Sequence, residues 1–161
     1  MRLAETQALT GQHSDAATSY QTFLEKFPES RWTRNAQFGF AFATENGGDP
    51  AAALVEYAKI LDEPKTDLWT VRSRFQTGSC QATLEKNNQA VIEFVKVEIS
   101  YPQYPQWQAQ AVLEIGKILL GQDKPDQAKE RFQEVLSRFA KEEAAAAAKE
   151  LLGFLKAPEA N

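Results

Sequence analysis

The sequence predicts an all-α fold, an α–α superhelix of about four helix–turn–helix repeats of 37–38 residues, ended by a C-terminal cap helix. Three observations carry that prediction. The three tryptophans, Trp32, Trp69 and Trp107, fall in one phase, 37 and 38 residues apart. Nine residues after each stands a small residue: Ala41, Gly78 and Gly116. Twenty-one residues after each stands an alanine (Ala53, Ala90, Ala128), and four residues later an aromatic (Tyr57, Phe94, Phe132). Such a period marks units that cannot bury an apolar face alone and stack on their neighbours to do so.

Copy one, about 1–30, holds the same phases in Ala4, Ala16 and Tyr20, but its tryptophan position falls before Met1. Its first helix is therefore expected to be short, either the cut end of a longer parent or a naturally short capping helix. The second helix runs from about Ser14 to Phe27, with Ser14 or Asp15 as the cap that accepts a free first-turn N–H. Ala16, Tyr20, Phe23 and Phe27 make a stripe at helical spacing. Pro28 stops the helix, because it lacks a donor and clashes with the preceding turn. Copy two, 31–65, contains FGFAFA, where Phe38, Phe40 and Phe42 alternate as they would in a strand. The repeat period overrules that pattern and predicts a helix with Phe38 and Phe42 on one face and Phe40 opposite. ENGGDP follows as a turn, with Asp49 as cap and Pro50 at the first helical position. Copy three, 66–104, turns at Lys86–Asn87–Asn88 and closes at Pro102. Copy four, 105–140, repeats the pattern with Pro125 in the phase of Pro50. EEAAAAAKELLGFLK then makes the cap helix, 141–156, with Gly153 in the phase of Gly116. Residues 1–157 are expected to form a single repeat domain, and 158–161 a frayed tail.

Composition narrows the function. The chain is 43% hydrophobic and 25% charged, as folded soluble domains are, with a net charge of -4 spread along its length. Nucleic-acid binders concentrate basic residues, so no nucleic-acid partner is expected. No 18-residue apolar run exists, so no membrane insertion is expected. Cys80 is the single cysteine and excludes an intrachain disulfide.

These phases resemble the tetratricopeptide repeat family over nearly the whole chain. The family pattern places a Leu-Gly pair in the first helix, alanine followed four later by an aromatic in the second, and often a closing proline. Ile115-Gly116, Ala128 and Phe132 fit it in copy four, Ala90, Phe94 and Pro102 in copy three, and Ala16, Tyr20 and Pro28 in copy one. The unit here is longer than the family's roughly 34 residues. The tryptophan also sits about one turn early, and Thr44 and Gln81 stand where a large aromatic is common. The resemblance implies a right-handed solenoid. The junction YQTFLEKFPESRW is more narrowly similar to bacterial cell-envelope members, such as the coordinator of the Tol–Pal system and the lipoprotein of the outer-membrane assembly machine. That implies a scaffold of the bacterial periplasm or cell envelope.

Catalysis finds little support. His13 is the only histidine, so no histidine-based triad or His-rich metal site can be assembled; it sits at a helix start in a turn and is expected to be solvated. Cys80 occupies the apolar phase of Ala43 and Ile118 and reads as a buried structural thiol. No glycine-rich phosphate loop appears, and no cofactor is expected. The tryptophans are expected to wedge each first helix against the second helix of the preceding repeat. The resemblance implies recognition instead, with first helices lining a concave face that holds a protein or peptide partner. The residues it places there are Asn35, Phe38, Phe42, Arg72, Phe75 and Lys117, with Arg34 nearby. Aromatics beside arginine are frequent interface anchors, although the same phenylalanines also suit ordinary packing between helices. The expected function is non-catalytic binding of an apolar segment with some acidic residues. The alternative is a self-associating spacer or a fragment of a larger multidomain envelope protein, in which an exposed Leu152/Phe154 edge drives homo-oligomers.

Overall fold

The computed structural model describes residues 1–156, and among these the chain forms nine α-helices and no strand. The expected frayed tail lies outside the described residues. The helices are α1 (Arg2–Leu9), α2 (His13–Lys26), α3 (Thr33–Asn46), α4 (Pro50–Leu61), α5 (Leu68–Thr83), α6 (Asn87–Ser100), α7 (Pro105–Gly121), α8 (Pro125–Arg138) and α9 (Ala144–Lys156). The architecture is an all-α helical-repeat superhelix. The chain divides into two compact units, Met1–Lys86 and Asn87–Asn161, with the division inside the third predicted helix pair.

The repeat register, more than cap chemistry, decides where helices begin. Second helices start at His13, Pro50, Asn87 and Pro125, which is the sequence period itself. The residue two before each start has positive φ: Gly11 at 76°, Gly48 at 95°, Glu85 at 59° and Asp123 at 58°. The residue after each of these donates its N–H back five residues, Gln12 to Gln7 O (2.8 Å), Asp49 to Thr44 O (3.2 Å), Lys86 to Gln81 O (2.8 Å) and Lys124 to Leu119 O (3.0 Å). This is the Schellman ending, which satisfies the last carbonyls of the first helix by a left-handed residue. Ser14 and Asp15 are thus inside α2, not at its cap: Gln12 caps it, with no side-chain hydrogen bond. Asp49 does cap α4, its carboxylate accepting from Ala52 N–H at 2.8 Å, with Pro50 at the first position.

In the first unit, α3 is helical throughout FGFAFA, as the period requires. Phe38 and Phe42 stack on one face with ring centroids 5.8 Å apart. Phe40 points the other way, into a cluster with Ala4, Ala16, Tyr20, Ala36 and Ala43. The Tyr20 ring lies in a notch at Gly39, where a Cβ would overlap it. A second cluster joins Phe38, Ala41, Ala53, Tyr57, Ile60 and Cys80, with Phe42 and Trp69 packed on its edge. Arg34 ties α3 to the start of α5: Nε donates to Asp67 at 2.8 Å, Nη1 to Glu63 at 2.6 Å and Nη2 to Thr70 Oγ1 at 3.0 Å. Asp67 in turn caps α5 through Thr70 N–H.

In the second unit Phe132 covers Gly116, and the core gathers Val112, Leu113, Val135, Phe139, Ala148 and Leu152. Arg131 and Arg138 tie Glu134 on their own helix to Glu98 of α6, with Arg138 2.7 Å from Glu98. Leu152 corrects the expected apolar edge. It is buried because α9 packs its alanine-rich face on the preceding pair, and only Phe154 is exposed. The tryptophan ladder also needs correction. Trp32 precedes the first residue of α3, so no helix face holds it against a neighbour, and it stays exposed beside Arg31. Trp69 lies inside α5 and packs on Phe38 of the preceding first helix, ring centroids 5.5 Å apart.

Candidate functional site

The first unit holds a cleft of about 370 Å³ on the side built by its first helices. Glu5, Ala8 and Leu9 of α1 line it, together with Asn35, Phe38, Gly39 and Phe42 of α3, Trp69 and Arg72 of α5, and Tyr20 of α2. Phe38 is the hub of its floor. It stacks on Phe42, tilts against Tyr57 at 5.8 Å and against Trp69 at 5.5 Å. The Arg72 guanidinium lies 4.2 Å from the Phe38 ring centroid and 5.3 Å from that of Trp69, within the range where a cation is attracted to a ring face. The size fits a site for one or two side chains.

The electrostatics of this region follow from burial. Desolvation lowers the Arg72 pKa, and the nearby Tyr57 and Tyr20 oppose that shift. Burial raises the Tyr20 pKa, Glu5 adds to the rise and Arg72 works against it. The Tyr20 hydroxyl therefore feels both charged groups of the cleft. Beneath the floor, Tyr57 Oη donates to the Glu45 carboxylate at 2.7 Å. Burial raises the Glu45 pKa, partly offset by hydrogen bonds from Tyr57 and Cys80.

Five of the six residues placed on this face by sequence belong to the first unit, but they do different things. Asn35, Phe38, Phe42 and Arg72 line the cleft together. Phe38 and Phe75 are buried, so they pack rather than offer a free ring. Lys117 belongs to the second unit, where it pairs with Glu114 at 2.8 Å. Arg34 is held by Asp67 and Glu63 and so serves α5 rather than the cleft. Sequence reasoning missed Glu5, Leu9 and Tyr20. Glu5 was reachable, since it stands 37 residues before Phe42 and shares its phase.

Other chemistry has little to build on. Cys80 is fully buried and its thiol is pushed up to about 12, first by desolvation and then by Glu45, so it is a poor nucleophile. His13 stands at the helix start expected of it, opening α2, but it is half-buried with Gly47 beside it rather than a solvated loop residue. Among the described residues no group of three or more His, Cys, Asp or Glu side chains is placed to hold a metal ion. No described helix is long and apolar enough to cross a membrane.

The tetratricopeptide repeat family model matches residues 1–30 and 110–142. Against curated proteins the sequence finds no match. Among solved structures, a crystal structure of MamA superimposes with a TM-score of 0.72 at 15% identity, covering 96% of this chain and 83% of that one. A second MamA structure gives 0.66 at 16% identity, with the same coverage. A tetratricopeptide repeat protein from Parabacteroides merdae gives 0.72 at 15% identity; this chain spans 57% of its length. At such identities the structures speak to the fold. With the two segments the family model matches, they show that the chain has the helical-repeat fold of tetratricopeptide repeat proteins, whose repeats generally mediate protein–protein interaction.

Proposed function

We propose that the chain is a non-catalytic scaffold that holds a protein partner by a short segment seated in the cleft of the first unit. The observation that carries this is the meeting of Phe42, Trp69 and Arg72 around a buried Phe38 within a concavity. Aromatic rings and arginine supply most binding energy at protein interfaces, because they bury large area and desolvate well. Phe42 and Trp69 are half-buried, so each has surface left to offer a ligand. The segment is apolar with acidic character, to suit the rings and the guanidinium. The Tyr20–Trp32 junction supports a bacterial envelope setting for that partner.

The test uses Phe42→Ala together with Trp69→Ala, not the buried Phe38 and Phe75, whose loss would damage the core. Partners captured by the wild-type chain are identified, and their binding is titrated against the double variant. A loss of at least tenfold, with the helical circular dichroism retained, is the expected result. Unchanged affinity in a folded variant rejects the cleft.

A further inference from the structure

The charged groups that line the cleft are of opposite sign and come from opposite sides of it. Glu5 is on α1 and Arg72 on α5, with α3 between them. The repeat register also staggers them along the helices. Glu5 shares the phase of Phe42, and Arg72 shares that of Asn35, seven residues earlier on α3. At 1.5 Å per residue, the stagger is roughly 10 Å along the helix axes. Tyr20 stands between the two. It is 4% exposed, its ring fills the notch at Gly39, and Glu5 and Arg72 both act on its hydroxyl. The strip between the charges is apolar, made by Phe38 and Phe42 with Ala8 and Leu9 at one margin.

Resting on the reading of this cleft as the binding site, we infer that it selects a peptide segment of two-signed charge. An acidic side chain is set against Arg72, an apolar one over Phe42, and a basic one against Glu5. The selection comes as much from rejection as from attraction. A segment with acids at both ends sets one of them against Glu5, and a segment with bases at both ends sets one against Arg72. Like charges brought together in a partly desolvated site disfavour the wrong partner more than the matched pair favours the right one. Phe42 supplies the shared apolar anchor, so it controls whether anything binds, while Glu5 and Arg72 control what binds.

Four labelled peptides of equal length test the inference by fluorescence anisotropy. Each has a central Phe and is flanked by Asp and Lys in one order, in the reverse order, by Asp on both sides, or by Lys on both sides. One mixed-charge peptide is expected to bind about tenfold tighter than either single-signed one. Glu5→Lys should move the preference to the peptide with two Asp. Arg72→Glu should move it to the peptide with two Lys; because Arg72 sits in the ring stack, Glu5→Lys remains decisive if that variant fails to fold. If all four bind alike and Phe42→Ala still abolishes binding, the cleft stands and the charge reading falls. If a single-signed peptide binds wild type tightest, the charge reading falls as well. If none binds, both readings fall.

Discussion

A methyl group added at Gly116 would run into the Phe132 ring, whereas one added at Gly153 would meet nothing within 4 Å. Both glycines occupy one phase of the repeat and both lie inside helices, so the pair separates packing from helix propensity. Replacing a mid-helix glycine by alanine gains up to about 1 kcal/mol from reduced backbone entropy. Overfilling a packed site costs about 1–3 kcal/mol. Gly116→Ala should therefore lower stability by about 1–2 kcal/mol, while Gly153→Ala should raise it by a fraction of 1 kcal/mol, near a helix end. Urea denaturation of the two variants checks this. Equal shifts in one direction would show that Phe132 does not depend on the gap. Sequence alone identified Gly116 as a joint, since its phase is small in every copy. It passed over Gly39, which no other copy shares, although Gly39 makes the notch that seats Tyr20 beside the cleft.

The turn within each helix pair is the most regular element of the chain, and only half of it was legible. Proline marked the starts of α4 and α8, and Asp49 that of α4 as well, because their chemistry is local: a fixed φ, a missing donor, a carboxylate that accepts a free N–H. The left-handed residue before each start was hidden at Glu85, whose side chain does not advertise positive φ, and only weakly marked at Asp123, a residue type that visits that region more often. Once the Schellman bonds are seen, the four turns are one device with different residues in the same slot. Gly48, at φ 95°, occupies that slot without strain. Gly48→Ala forces a Cβ into the left-handed region and should cost about 1 kcal/mol. Glu85→Gly relieves that strain but frees the unfolded chain, so its net effect should be a gain of no more than about 1 kcal/mol. Thermal melts of both variants give the two signs. A stabilised Gly48→Ala would overturn the account. The same logic explains why Ser14 and Asp15 misled. They are good cap residues, but α2 starts where the Gly11 turn delivers it, two residues earlier.

Across the whole molecule, each unit carries its own acid-sensitive ion cluster, and the fold should respond to pH through them. Asp67 and Glu63 surround Arg34 in the first unit, and Glu134 is held by Arg131 and Arg138 in the second. Burial alone would raise the pKa of all three carboxylates. For Asp67 the Arg34 and Thr70 hydrogen bonds outweigh it, for Glu63 Lys65 and Arg34 do, and for Glu134 the two arginines do, so each ends lowered. A lowered pKa means the folded state favours the charged form. The stability it contributes is present above the unfolded value, about 3.9–4.3 for these acids, and is lost as pH falls through the folded value. Glu45 has the opposite sign. Burial raises it, so its contribution is present below the unfolded value and is lost as pH rises through the folded one. The acid limb should therefore be set by the arginine-held carboxylates and the first fall on its neutral side by Glu45. Melting temperatures from pH 3 to 7 separate the two. Asp67→Asn should melt lower than wild type at pH 6 yet lose less between pH 4 and pH 3. Glu45→Gln keeps an acceptor for the Tyr57 hydroxyl and removes the charge, so it should gain on wild type as pH rises above about 4.3. Curves that run parallel to wild type throughout would show that these groups do not govern the pH response.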